Sequence, residues 1–314
     1  MKHFVIAFVL TLCAIPAIAQ GNRFNVNCDR GERINKVLRT IAKTGTAPAT
    51  INVSGTCSES VSIQNFDRLT LTTRTGATII GPSSRVSAAI TVSNSSFITL
   101  QGLLIQKGMN GVLCEANSVC NLTGLTVEQA TYEGVRFERS EGILEGNVIQ
   151  NNGYRGLSAV NGSKVLVGRG VIQSNADAGI GVISGSELNL ESATIQNNAL
   201  DGVLALLGSS VRMDDSTITG NGGSGIGLYS QSNGSLEQVS TGNVVTGNAG
   251  NGVFLRDLSF ARFVGTNNVS SNLSQPDIEC SPQFPATRGS GTAGGTTNCV
   301  EPLDAAPARN KEHR

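Results

Sequence analysis

The sequence predicts an all-β solenoid, a single stack of about nine or ten coils closed at its start by a short helix. Three observations carry this. One phrase recurs five times: Ile149…Asn152…Gly156-Leu157, Ile172…Asn175…Gly179-Ile180, Ile195…Asn198…Gly202-Val203, Ile218…Asn221…Gly225-Ile226 and Val245…Asn248…Gly252-Val253. Its Asn-to-Asn steps are 23, 23, 23 and 27 residues, a period that belongs to stacked repeats. Between the phrases, apolar residues alternate with polar ones in short runs, the pattern of half-buried strands. Helical spacing is confined to residues 31–44, where Ile34, Val37, Leu38 and Ile41 fall at i, i+3, i+4 and i+7 before a stop at Gly45.

In chain order, residues 1–19 read as a secretory signal. Lys2 and His3 begin it, Phe4 to Leu12 form its apolar stretch, and Ala17-Ile18-Ala19 offers a cleavage site before Gln20. Cys13 follows Thr11-Leu12 and does not fit a lipoprotein site. No other run approaches the ~18 apolar residues needed to span a bilayer, so the expectation is an exported protein without membrane insertion. Residues 20–49 form an N-terminal segment whose helix covers the open end of the first coil, since an open end exposes unpaired strand edges. Residues 50–280 form the stack. Its early strands are Ile51/Val53, Val61/Ile63, Leu69/Leu71, Ile90/Val92 and Ile98/Leu100.

From Gly111 the register is plain, through Gly134, Gly156, Gly179, Gly202, Gly225 and Gly252. One position after each Gly lies an inward column: Val112, Val135, Leu157, Ile180, Val203, Ile226 and Val253. Nine positions after it, Cys120, Ile143, Val165, Leu188 and Val211 are expected inside as well. Each coil is too thin to bury its apolar face alone. Stacking therefore supplies most of the stability, at no more than ~1.5–3 kcal/mol per inward side chain. Asn152, Asn175, Asn198, Asn221 and Asn248, with Asn272 next, are expected to form a structural ladder at a turn that favours left-handed backbone. Ala130 holds that place one coil earlier. The four extra residues of the 27-residue step are placed at Gln231-Ser232-Asn233-Gly234. Residues 281–314, rich in Pro, Gly and Thr, are read as a C-terminal strap and loose tail.

Beyond Cys13 there are six cysteines: Cys28, Cys57, Cys114, Cys120, Cys280 and Cys299. An even number in an exported chain suggests disulfides, and sequence alone leaves about 15 pairings open. Nearest-neighbour pairing is preferred because it puts one bridge at each end of the stack. Metal binding by Cys and His is disfavoured: no Cys-x-x-Cys occurs, and beyond the signal the one His is His313. The formal net charge is zero, with 23 basic and 23 acidic residues, and no basic stripe suggests nucleic acid.

The repeated phrase, the capping helix and the export signal together resemble the right-handed parallel β-helix proteins of the pectate-lyase-like superfamily, over residues 28–280. That resemblance implies a right-handed coil and says little about activity, because the superfamily holds lyases, hydrolases, esterases, epimerases and members with no established function. Tested motif by motif, Asp214-Asp215 matches one of four polygalacturonase-like boxes; the Asn-Thr-Asp, Gly-His-Gly and Arg-Ile-Lys boxes are missing. The esterase-like Asp-Phe-Ile-Phe-Gly and epimerase-like Asp-Pro-His-Asp signatures are missing too. A lyase-like site would need acidic Ca²⁺ ligands and a base. Glu191 and Asp214 stack at 23 residues, Asp215 adjoins them and Arg212 is two residues away, so these four are the candidate ligand or metal set. A solvated outer face is the simpler expectation for them.

Glu133 and Arg155, at equivalent positions of adjacent coils, are expected to form a surface ion pair. Glu138-Arg139-Ser140-Glu141 reads as a charged turn, and Tyr132 and Tyr154 as a turn cover or a small stacking platform. With no Trp and 4% aromatic residues, a processive polysaccharide enzyme is disfavoured. The expectation is a secreted or periplasmic, non-catalytic scaffold or glycan-interaction module; the alternative is a Ca²⁺-assisted uronate lyase. The implied partner is a polysaccharide or cell-surface glycan.

Overall fold

The computed structural model describes residues 22–83, 86–281 and 292–299. The expected export signal and most of the expected strap and tail lie outside the described residues. The chain winds into a right-handed parallel β-helix of about 11 turns with three strands per regular coil. The count exceeds nine or ten because stacking starts before the helix. Strand Asn22–Asn27 pairs in parallel with Ala49–Ser58, so the first turn precedes residue 50. Helix Ile34–Thr44 buries Ile34, Leu38 and Ile41, and Gly45 ends it at φ +64° with its N–H donated to the Ile41 carbonyl.

One coil shows the plan. Strand Leu157–Val160 lies in a first sheet of ten strands; a three-residue turn leads to Lys164–Gly168 in a second sheet; a two-residue turn, with Arg169 at φ +46°, leads to Val171–Gln173 in a third. The next coil repeats it 23 residues on, with Leu157 opposite Ile180, Val165 opposite Leu188 and Ile172 opposite Ile195. Alternation sends every second side chain inward, and these columns join into one continuous core. The recurring Gly is required by close approach. A Cβ on Gly156 would lie 2.6 Å from Asn175 Nδ2 and 2.8 Å from the Gly179 carbonyl. Disulfides join Cys28–Cys57, Cys114–Cys120 and Cys280–Cys299.

Buried polar ladders fill two of the corners. Asn152 Nδ2 donates to Asn175 Oδ1 at 2.9 Å, and the chain continues through Asn198, Asn221, Asn248 and Asn272 at 2.9–3.0 Å. It is directional: each amide donates toward the C-terminal end. The last, Asn272, donates to Asp277, a carboxylate that only needs to accept. Although burial opposes it, the Asn272 and Thr296 donors hold Asp277 below the ordinary carboxylate range. The left-handed backbone falls one residue earlier than expected, on Asn151, Ser174, Asn197, Gly220 and Gly247, so the ladder Asn are selected for side-chain hydrogen bonding rather than for φ. A second ladder runs from Ser95 through Ser118, Ser140, Ser163, Ser186, Ser209 and Ser232 to Ser259, each hydroxyl from Ser118 onward accepting the N–H of the serine one coil earlier.

Two expected placements are corrected. Ile143 is 52% exposed rather than inside. The turn Arg139-Ser140 is one residue shorter than its neighbours Ala116–Ser118 and Asn161–Ser163, so Gly142 pairs with Cys120 and Val165 in the inward column. The bulk of Phe137 fills the space that Gly142 leaves. The four-residue insertion is not at 231–234, where Ser210–Asp214 and Asn233–Glu237 stay in register. It lies between Glu237 and Val244, six residues facing the two-residue turn Asp215-Ser216.

Candidate functional site

Two side-chain groups on different faces of the prism concentrate charge. The first lies where the turn before the first sheet meets that sheet's outer face. Tyr132 and Tyr154, one coil apart, stack with centroids at 4.5 Å and planes 5° apart. The guanidinium of Arg155 sits 4.7 Å from the Tyr154 centroid. Its Nε donates to Asp177 Oδ1 at 3.3 Å, and its side chain lies over Gly181, where a Cβ would come within 2.7 Å of Arg155 Cδ. Arg136 points outward between inward Val135 and Phe137 and bridges Glu133 at 3.0 Å and Glu138 at 3.1 Å. Glu133, 1% exposed, also accepts a 2.6 Å bond from the Ser158 hydroxyl. Burial works against the Arg136 charge, and Glu133 with Glu138 more than offsets it, so its pKa is raised.

The expected Glu133–Arg155 surface pair is therefore corrected. Both side chains are buried, and each takes a partner reached by leaning sideways along or across the coil: Arg136 for Glu133, Asp177 for Arg155. Two coils further on, Asp201 accepts the Ser224 N–H at 2.7 Å. Burial, with the Asp177 charge behind it, pushes Asp201 up to about 6. Tyr229, pushed up to about 12 by burial and then by Asp201, lies on the other side of Gly227. A Cβ there would be 2.6 Å from Tyr229 Cε2 and 2.8 Å from Asp201 Oδ2, so only Gly lets the phenol ring and the carboxylate close over this position. Sequence reading passed over Arg136, Asp177, Asp201 and Tyr229 because they occupy four different columns of the repeat. The available signal was Gly at outward positions 181 and 227.

The second group contains Glu191, Asp214, Asp215 and Arg212. Glu191, Asp214 and Glu237 stand in one register column at the end of second-sheet strands. Arg212 bonds Asp214 at 3.1 Å and Glu237 at 3.0 Å. Asp214 is 6% exposed and its Oδ1 has no partner among the described residues. Burial raises its pKa, Arg212 opposes this, and Glu237, Glu191 and Asp215 add to the rise. Asp215 does not join the others. At φ +47° it accepts the N–H groups of Ser240, Thr241 and Gly242 at 2.8–3.0 Å, fastening the insertion loop. Those donors, Ser240 first, lower its pKa. Among the described residues, no group of three or more His, Cys, Asp or Glu is arranged to hold a metal ion.

The family described as right handed beta helix region matches residues 110–274, more than half of the chain. The chain belongs to this family. A sequence comparison with curated proteins gives no match. Among solved structures, this right-handed β-helix protein is similar to the mannuronan C-5 epimerase AlgE4 A-module of Azotobacter vinelandii, with TM-score 0.64 and 14% identity over 82% of this chain and 88% of that one. It is also similar to the periplasmic alginate epimerase AlgG (TM-score 0.54, 12% identity, 85% and 72% covered) and to pectate lyase Pel9A (TM-score 0.56, 14% identity, 94% and 83% covered). At these identities the likeness establishes the shared fold.

Proposed function

We propose that this β-helix is an exported, non-catalytic module that binds an acidic polysaccharide on the first-sheet face around Tyr132 and Tyr154. The observation that carries the reading is the parallel tyrosine stack with Arg155 and Arg136 fixed beside it. Aromatic rings offer a platform for sugar rings, and guanidinium groups match carboxylates. Arg136 is paired with Glu133 and Glu138, and Arg155 with Asp177, which preorganises a binding surface. Three disulfides suit an oxidising compartment, in keeping with export. The relatives by fold whose names specify mannuronan, alginate and pectate make polyuronides the first ligands to try.

The test incubates purified protein with alginate, polygalacturonate and dextran, with and without Ca²⁺. It follows binding by affinity electrophoresis and unsaturated products by ultraviolet absorbance. Retardation by the polyuronides that is lost in a Tyr132→Ala/Tyr154→Ala variant, without absorbance, is the expected result. Calcium-dependent absorbance that vanishes in Asp214→Ala would instead establish the lyase alternative. A second catalytic reading rests on one observation: Asp201, pushed up to about 6, and Tyr229 pack together over Gly227, a carboxylate and a phenol close enough to serve one substrate as base and acid. It requires product or epimer formation that Asp201→Asn abolishes.

A further inference from the structure

We propose that the outer face of the second sheet is a separate binding groove for a linear glycan carrying a carboxylate on every second sugar. Three open depressions of about 420, 230 and 430 Å³ follow one another along this face. The first two share Glu141 and the last two share Glu187 and Asn189, so they form one continuous groove. It follows seven strands, from Val119–Thr123 to Phe260–Phe263, paired in parallel. At ~4.8 Å per strand the groove is about 29 Å long and parallel to the solenoid axis. A groove of that form suits an extended polymer rather than a small molecule.

The central outward column grades from apolar to basic. After Asn121 come Ile143 and Leu166, then Asn189, Arg212, Ser235 and Arg262. Ile143 is in this column because the shortened turn Arg139-Ser140 rotated it out of the core, leaving an exposed aliphatic surface on which a sugar ring can lie. Arg212 and Arg262 stand two coils apart, about 10 Å, with Ser235 between them. One coil step is close to the advance of one sugar in an extended chain, so the two guanidinium groups meet substituents on alternate sugars. Arg262 makes no ion pair within 4 Å among the described residues, although it is close enough to Glu237 to help lower its pKa, whereas Arg212 bonds both Asp214 and Glu237. Glu141 and Glu187 border the apolar half, and Lys164 neutralises only Glu187, at 3.8 Å. A polymer charged on every sugar would place carboxylates against Glu141; one charged on alternate sugars avoids this.

The proposal does not depend on the tyrosine face. Its test uses the full-length protein and measures by calorimetry the binding of hyaluronan oligosaccharides (carboxylate on alternate sugars), oligogalacturonates (on every sugar) and dextran oligomers (on none). Expected are preference for hyaluronan, affinity rising with length to about six sugars, and weakening by salt. Arg262→Glu and Ile143→Asp should each weaken binding roughly tenfold or more, while Arg262→Lys retains most of it. In a Tyr132→Ala/Tyr154→Ala variant the hyaluronan binding that remains should still weaken with Arg262→Glu, which separates this site from the first. Absence of hyaluronan binding by protein with wild-type circular dichroism, equal binding of dextran, or binding indifferent to Arg262→Glu would overturn the proposal. Equal binding of oligogalacturonate would overturn the alternate-sugar spacing.

Discussion

Replacing Asn198 with Ala tests whether the asparagine ladder holds the stack together. Asn198 Oδ1 accepts from the Asn175 N–H at 3.1 Å and from Asn175 Nδ2 at 2.9 Å. Its Nδ2 donates to the Ile172 carbonyl at 3.1 Å and to Asn221 Oδ1 at 3.0 Å. Alanine removes all four bonds in a site 2% exposed and strands the Asn175 N–H. At a net ~1 kcal/mol per bond, with part of an orphaned-donor penalty added, the loss is about 3–5 kcal/mol. Urea unfolding followed by circular dichroism measures it, with exposed Asn189→Ala as a control expected within about 0.5 kcal/mol of wild type. Asn198→Asp sharpens the test. The new carboxylate still accepts from Asn175 but turns an oxygen toward Asn221 Oδ1 and the Ile172 carbonyl. Burial, with that second oxygen facing only acceptors, raises its folded pKa above the unfolded value, so the variant keeps its stability below about pH 4 and loses it as pH rises. At pH 7 it should be less stable than the alanine variant. A cost below about 1 kcal/mol for Asn198→Ala, or an Asp variant with no pH dependence of its own, would refute the ladder argument.

Asp201→Asn should stabilise the protein at pH 8 and leave it nearly unchanged at pH 4. The rise from the ordinary 3.8 to about 6 means that the folded state holds its proton longer, so stability falls as pH rises through that window. The difference is at most about 3 kcal/mol, read from urea midpoints against pH. Gly142→Ala should destabilise by about 1–3 kcal/mol, because its Cβ would overlap the ring of Phe137; a thermal melt with unchanged midpoint would show that the ring has room to move. Asp215→Ala should release residues 238–242, seen as faster amide exchange at Ser240, Thr241 and Gly242 with the rest of the stack still protected.

The sequence by itself determined the repeat, the strands with alternating burial, the capping helix and the cysteines that are near neighbours in a coiled path. These follow from period-2 and 23-residue patterns written directly in the chain, because a solenoid contacts mainly its sequence-adjacent coils. It also placed Glu191 opposite Asp214 and Tyr132 beside Tyr154, since equal offsets become stacked neighbours. Tertiary structure decided what a column count cannot. One residue missing from the Arg139-Ser140 turn reversed Ile143, because a single-residue slip exchanges the two faces of a strand. The serine ladder was passed over because serine is common and turn-tolerant, so only the aligned N–H to hydroxyl bonds distinguish it. Pairing of Glu133 with Arg136, and of Arg155 with Asp177, depended on where long side chains lean after the backbone is fixed. The separation of Asp215 from Asp214 depended on the insertion loop folding back onto its carboxylate. Column position is set by local spacing; the partner of a charged side chain is set by the shape of the surface around it.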